Sequence, residues 1–324
     1  MTSDLLTAAL GLALLLFAGD SLVKGAVNMS LRLGVPALIV SLTIVAFGTS
    51  APEMLIAVQA VLDDAPGIAM GNVVGSNIAN VLLVLGVPAL MTGLRTDECD
   101  TRRTYLMMIG ASLLFIALCM IGPITWMHGA VLLAALSLIL FDAFRAARKH
   151  RRETVAAEAE AEEEELLEDL EGVDPSLSWF KIAMFLLLGL IGLPLGADLL
   201  VDSSTSIARD LGVSETVIGL TLVAVGTSLP ELATTVMAAM RRQADVALGN
   251  VIGSNMFNLL AIVGVASLVG TIPLPPEMLR LDLWVMLGTS ALLAPFVFLR
   301  WPLNRAWGTA FLLGYAGYLG VLLI

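Results

Sequence analysis

Apolar stretches of about 20 residues recur along the whole chain, each closed off by a short polar or glycine-containing segment and nearly free of charge inside. Read as membrane-spanning helices, they fall near residues 4–26, 35–62, 67–92, 104–122, 124–145, 179–202, 213–240, 245–270, 281–299 and 304–324. The pattern predicts an all-α polytopic membrane protein of ten transmembrane helices. It divides the chain into a first five-helix unit (1–145), a polar linker (146–178) and a second five-helix unit (179–324). The start, Met1-Thr2-Ser3-Asp4, lacks the basic n-region of a secretory signal, so the first stretch reads as a retained span.

The second unit repeats the first. Glu231 lies 178 residues after Glu53, and the same offset holds without a gap from Asp20/Asp198 through Gly34/Gly212, Asn72/Asn250 and Ser76/Ser254 to Gly86/Gly264. About 29 of the 71 pairs between positions 20 and 90 are identical, far more than two generic apolar stretches share. Equivalent helices are five spans apart, and an odd shift makes the two copies cross the membrane in opposite directions. Inverted repeats of this kind place substrate sites near the bilayer midplane and let the halves exchange roles.

Polar positions inside the spans are few and concentrated. Gly48-Thr49-Ser50-Ala51-Pro52-Glu53 and Gly226-Thr227-Ser228-Leu229-Pro230-Glu231 each set a carboxylate in an apolar helix. A charge there costs roughly 2.5–3.5 kcal/mol even on translocon scales, which makes Glu53 and Glu231 candidates for function. Pro52 and Pro230 have no amide hydrogen, so the helix is expected to break around Gly48 and Gly226 and to free backbone oxygens. Those oxygens, the hydroxyls of Thr49, Ser50, Thr227 and Ser228, and the two carboxylates form an all-oxygen set suited to hard cations such as Na⁺ and Ca²⁺.

The following helix carries Gly71-Asn72-Val73-Val74-Gly75-Ser76-Asn77-Ile78-Ala79-Asn80, mirrored as Gly249-Asn250-Val251-Ile252-Gly253-Ser254-Asn255-Met256-Phe257-Asn258. Asn72, Ser76 and Asn80 share one polar face, while Gly71 and Gly75 offer a surface for close helix packing. Ser76, Asn80, Ser254 and Asn258 are expected to line an ion site, and Asn72 and Asn250 to bond between helices.

Composition agrees with the membrane reading: mean hydropathy is +0.92, with 58% hydrophobic and 14% charged residues. Cys99 and Cys119 have neither metal-ligand spacing nor a nearby histidine, and no cofactor is implied. Much of the net charge of −11 comes from one linker run, Glu158, Glu160, Glu162–Glu165, Glu168, Asp169 and Glu171, and no nucleic-acid partner is expected. The run lacks the spacing and turn glycine of an EF-hand loop, so it reads as a solvated charged segment. A basic cluster, Arg145, Arg148, Lys149, Arg151 and Arg152, precedes it and predicts a cytoplasmic linker with both termini outside. Lys24, Arg32, Arg95, Arg102, Arg103, Lys181, Arg241, Arg242, Arg300 and Arg305 then also fall inside, and only Arg209 and Arg280 outside. The sequence is silent on oligomeric state.

Paired GTS-x-PE and GN-xx-GSN motifs in inverted repeats resemble the cation/calcium exchanger superfamily, on its sodium/calcium exchanger branch of prokaryotic type. The resemblance implies two inverted five-helix units, with four oxygen-lined cation positions between the second, third, seventh and eighth helices. It makes Glu53 and Glu231 the principal calcium ligands. Thr49, Ser50, Thr227, Ser228, Ser76, Ser254 and the carbonyls of Ala46 and Ala224 complete the calcium and sodium positions, with Asn80 and Asn258 lining the centre. Related exchangers often carry an aspartate where this chain has Asn258, which points toward a potassium-independent carrier. The expected function is antiport of Na⁺ against Ca²⁺ in a cell membrane, with these ions as substrates and the bilayer as partner. A divalent cation/proton antiporter using the same glutamates is the alternative, and a cation channel a more distant one. A hydrolase using Ser50 or Ser228 lacks a histidine or lysine base in either motif.

Overall fold

In a computed structural model the structure describes residues 2–96, 99–158, 177–212 and 224–322, without the side chains of 151–158 and 224. The described residues are helical throughout, joined by short loops, with two isolated β-bridges and no strands. We label the helices α1 (Thr2–Leu33), α2 (Ala37–Thr49), α3 (Ala51–Leu62), α4 (Pro66–Met91), α5 (Arg102–Ile121), α6 (Trp126–Glu158) and α7 (Trp179–Asp210). They continue with α8 (Leu229–Met240), α9 (Ala244–Val269), α10 (Met278–Phe298) and α11 (Arg305–Leu322). Seven of these are long and apolar enough to cross a membrane, and α2 with α3, bent by 43°, makes an eighth span. The first half of the expected seventh helix, 213–223, and most of the acidic run lie outside the described residues.

Four helices differ from the sequence reading. The fifth helix does not stop at 145: α6 runs on to Glu158, because Ala, Arg, Lys and Glu are good helix formers and the helix continues past the last apolar turn. Likewise α1 and α7 are 32 residues each, longer than the apolar stretches that predicted them. The ninth stretch is interrupted at Leu292–Leu293, where Pro295 begins a new short helix, Ala294–Phe298.

Packing puts α4 and α9 at the centre, where they are the most buried of the long helices, and leaves α6 and α7 largely at the periphery. One core cluster runs through α3, α4, α5, α8, α9, α10 and α11. The long helices α1 and α7 pack against each other through glycines. A Cβ on Gly11 would stand 2.7 Å from the Leu200 nitrogen, and one on Gly196 2.9 Å from that of Leu15, so neither position admits a side chain. A small ion network ties α1 to the end of α8: Asp20 accepts from Arg241 through one oxygen and pairs with Lys24 at 3.0 Å through the other. The two β-bridges join loops, Leu94 to Leu303 and Ile124 to Ile272.

Candidate functional site

Both acidic motifs sit at a helix break. The first segment ends at Thr49, Ser50 leaves helical geometry (φ −86°, ψ 4°), and α3 starts at Ala51 with Pro52 in its first turn. The second copy repeats this: a short stretch Ala224–Gly226, Ser228 at φ −91°, ψ 4°, and α8 starting at Leu229 with Pro230. The breaks thus fall at Ser50 and Ser228, two residues beyond the glycines that the sequence suggested. Proline is tolerated in a first turn, where its missing N–H has no acceptor to lose, so each helix restarts just before its proline. Glu53 and Glu231 then lie in the first turns of α3 and α8, where the positive end of the helix dipole favours a carboxylate.

Burial is nearly complete around this point. Thr49, Ser50, Glu53, Ser228, Glu231, Asn80, Asn258, Ser76 and Ser254 are all buried. Ser50 Oγ donates to Glu231 Oε1 at 3.3 Å, across the two halves. Thr49 Oγ1 lies 3.3 Å from Asn250 Oδ1 and 3.4 Å from Ser254 Oγ. The structure therefore brings Thr49, Ser50, Glu231 and Ser254 together, with Glu53 three residues after Ser50 in the first turn of α3, and with Asn80 and Asn258 each starting a π-helical turn on α4 and α9.

Several of these groups have no partner among the described residues. Glu53 Oε2, Glu231 Oε2, Asn80 Oδ1, Ser228 Oγ and both polar atoms of the Asn258 amide are buried and unbonded. An orphaned buried polar atom costs about 1–3 kcal/mol, and a charged one more, so such a cluster is expensive unless something polar fills it. Among the described residues no group of three or more His, Cys, Asp or Glu is placed to hold a metal, so only neutral oxygens can supplement the two acids.

Other predicted residues stand differently. The Ala46 carbonyl is not bare: it accepts from Ser50 N at 3.0 Å and from Thr49 Oγ1 at 3.3 Å, because the break falls one turn later than Ala46. The carbonyl that Pro52 leaves without its helical donor is that of Gly48. Ala224 is in the helical stretch before the second break. Thr227 and Ser76 share the wall of a cavity of about 470 Å³, together with Asn72, Gly71 and Gly75. Asn250 bonds between helices as expected, giving its Nδ2 to Thr235 Oγ1 at 3.1 Å and to Glu231 O at 3.3 Å. Asn72 does not match it, for its Nδ2 is unbonded.

The two glycine pairs also differ. A Cβ on Gly249 would be 2.9 Å from Leu38 O, and one on Gly253 2.5 Å from Leu42 O, so α9 presses directly on α2. Ser41 Oγ seals the same contact by donating to Val246 O at 2.7 Å. At Gly71 and Gly75 nothing among the described residues lies within 4 Å, and the close packing expected there falls on residues outside the described ones. Their counterpart of α2, by the repeat, is the segment 213–223.

Sequence reasoning missed Asn255 as a positioning residue. Its Oδ1 accepts from Asn80 Nδ2 at 3.0 Å, which fixes the Asn80 amide and leaves its Oδ1 buried and unbonded among the described residues. Its presence in both GSN motifs was the available signal. The π turns carry no sequence signature, though such turns gather at functional sites.

A family model described as sodium/calcium exchanger protein matches residues 3–144 and 181–324. The putative antiporter CaxA of Alkalimonas amylolytica is 34% identical over 312 residues, covering 95% of each chain. The sodium/calcium exchanger MaX1 of Methanosarcina acetivorans is 32% identical and covers 99% of each. Among solved structures, the sodium-calcium exchanger NCX_Mj soaked with Na⁺ and Sr²⁺ superposes with a TM-score of 0.79 at 32% identity, covering 98% of this chain and 97% of its own. Matched in both halves and along nearly its whole length, the chain belongs to the sodium/calcium exchanger protein family.

Proposed function

We propose that the protein exchanges Na⁺ for Ca²⁺ across a cell membrane by alternating access and exports Ca²⁺, with no covalent step and no cofactor. The observation that carries this is the buried set of unpartnered oxygens, with a carboxylate from each half at its centre. Ca²⁺ takes about six to eight oxygen ligands at roughly 2.3–2.6 Å, from carboxylates, hydroxyls, amides and carbonyls, and this is the donor chemistry present. Glu53 and Glu231 bind the divalent ion. Thr49, Ser50, Thr227, Ser228, Ser76, Ser254, Asn80, Asn258 and the carbonyl of Ala224 complete that position and the sodium positions, and the Ala46 carbonyl, already accepting two hydrogen bonds, is left out.

Ten spans in two inverted five-helix units, 1–145 and 179–324, provide the two states. Two features support the inversion. Asn80 and Asn258, offset by 178, each open a π turn. The bridges Leu94–Leu303 and Ile272–Ile124 are also mates, since 94 maps onto 272 and 303 onto a neighbour of 124. We read the contact of α9 on α2 as the closed side and the cavity lined by Gly71 and Gly75 as the open one, where the counterpart of α2 lies outside the described residues. With the linker cytoplasmic, the open side faces outward and both termini are external.

The test is ⁴⁵Ca uptake into vesicles reconstituted with the purified protein, under sodium, proton and potassium gradients imposed one at a time. Uptake driven by an outward sodium gradient alone is expected. Uptake driven only by a pH gradient would replace sodium by protons at the same two glutamates. Passive uptake without any counter-gradient would indicate a channel.

A further inference from the structure

Asp282 is the one acid on the described wall of the 470 Å³ cavity, and the ion site does not use it. It closes the π turn Met278–Asp282 at the start of α10, is half-buried, and accepts a hydrogen bond from Tyr318 Oη on α11 at 3.1 Å. No cationic side chain pairs with it among the described residues. The same cavity touches Ser76 and Thr227 of the ion site. Its lining on α4 runs from Ile68 to Ser76, which at 1.5 Å per residue is about 12 Å of helix. Met278, Leu319 and Leu322 make much of the remaining wall apolar, and low-dielectric walls focus the field of a single charge.

The repeat sharpens the point. The offset of 178 still aligns Met108 with Met286 and Ser112 with Ser290, and it pairs Asp282 with Thr104, a neutral residue whose hydroxyl is spent on Thr101 O at 3.0 Å. Only one of the two access routes therefore has an acid at this place.

We infer that Asp282 is a cation-recruiting residue on its own face of the membrane, raising the local concentration of Ca²⁺ above that of Na⁺ without ligating the transported ion. This rests on the exchange reading and adds a difference in affinity between the two faces. A unit charge about 10 Å from a divalent ion, in a medium near water and at 10 mM ionic strength, shifts half-saturation by roughly 3-fold; at 0.15 M screening leaves less than 2-fold.

The experiment compares Asp282→Asn, Asp282→Glu and Tyr318→Phe in vesicles of each orientation, with choline and sucrose setting ionic strength. Asp282→Asn should raise the Ca²⁺ half-saturation by about 3-fold from the cavity side at low ionic strength, by less than 2-fold at 0.15 M, and not at all from the opposite side. Asp282→Glu should match the parent protein, and Tyr318→Phe, which keeps the carboxylate, should keep the salt dependence. An unchanged half-saturation in Asp282→Asn overturns the proposal, and so does a rise that ignores ionic strength or membrane side. Should the parent protein show no sodium-driven exchange, the exchange reading fails instead. The Ca²⁺ association rate of the solubilised protein at low and high salt then decides the role of Asp282 by the same criterion.

Discussion

Adding one methyl group at Gly253, and the same group at its repeat mate Gly75, compares a tight helix contact with a position where no described atom lies near. A Cβ on Gly253 would stand 2.5 Å from Leu42 O and 2.6 Å from Ala46 Cβ, and neither atom belongs to a flexible side chain. Relief requires α9 to move away from α2, and overpacking of this kind costs about 1–3 kcal/mol. Against that stands the intrinsic preference of a helix for Ala over Gly, about 0.5–1 kcal/mol. Gly253→Ala should therefore be destabilised by about 1–2 kcal/mol, and Gly75→Ala, which meets no described atom within 4 Å, should be neutral or slightly stabilised. At roughly 2–4 °C per kcal/mol, thermal unfolding of the two purified variants in one detergent resolves the difference. Exchange adds a second readout, since α4 must close on its own partner if the halves trade roles. Gly75→Ala should then slow ⁴⁵Ca exchange without lowering the unfolding temperature. If Gly253→Ala unfolds and exchanges like the parent protein, the contact described between α9 and α2 is wrong.

Glu53→Gln and Glu231→Gln should each abolish most calcium exchange while inserting and folding normally, because each removes half the charge of the ion site; parental exchange in both would sink the assignment. With both glutamates ionised the site carries about −2, so one Ca²⁺ neutralises it and three Na⁺ leave +1. Exchange should then respond to an imposed membrane potential at fixed ion gradients, and indifference to potential would require an electroneutral cycle. Removing residues 160–174, which hold most of the acidic run, while keeping the basic cluster should leave transport intact. Loss of a calcium-dependent activation in that variant would make the run a sensor.

The candidate site was legible because the duplication writes it twice. Thr49, Ser50, Glu231 and Ser254 meet as the paired motifs suggested, and a carboxylate within an apolar stretch is too costly to persist without a task. What stayed hidden depends on tertiary geometry. Proline announced a break, but its place at Ser50 rather than Gly48 follows from where a helix can restart, and this is why Ala46 O keeps its helical bond. Asn255 looks from sequence like any motif amide, and only its bond to Asn80 gives it a task. The helix ends of α1, α6 and α7 escaped because hydropathy marks where lipid ends, not where a backbone stops being helical.

Asp20 has a mate in Asp198, but its two cationic neighbours do not carry over: the offset that turns Asp20 into Asp198 turns Arg241 back into Asp63 and Lys24 into Asp202. A carrier built from two identical halves would have end states of equal energy, each the mirror of the other. Here the arrangement in which α1 meets the end of α8 sets an acid between two cations, and its mirror would set three acids together. Divergence after duplication has left the ion-binding motifs almost untouched and has altered the charges that touch no transported ion. With inverted halves as proposed, such charges would weight one end state against the other, and the direction in which the empty carrier rests would be a heritable property separate from the ions it selects.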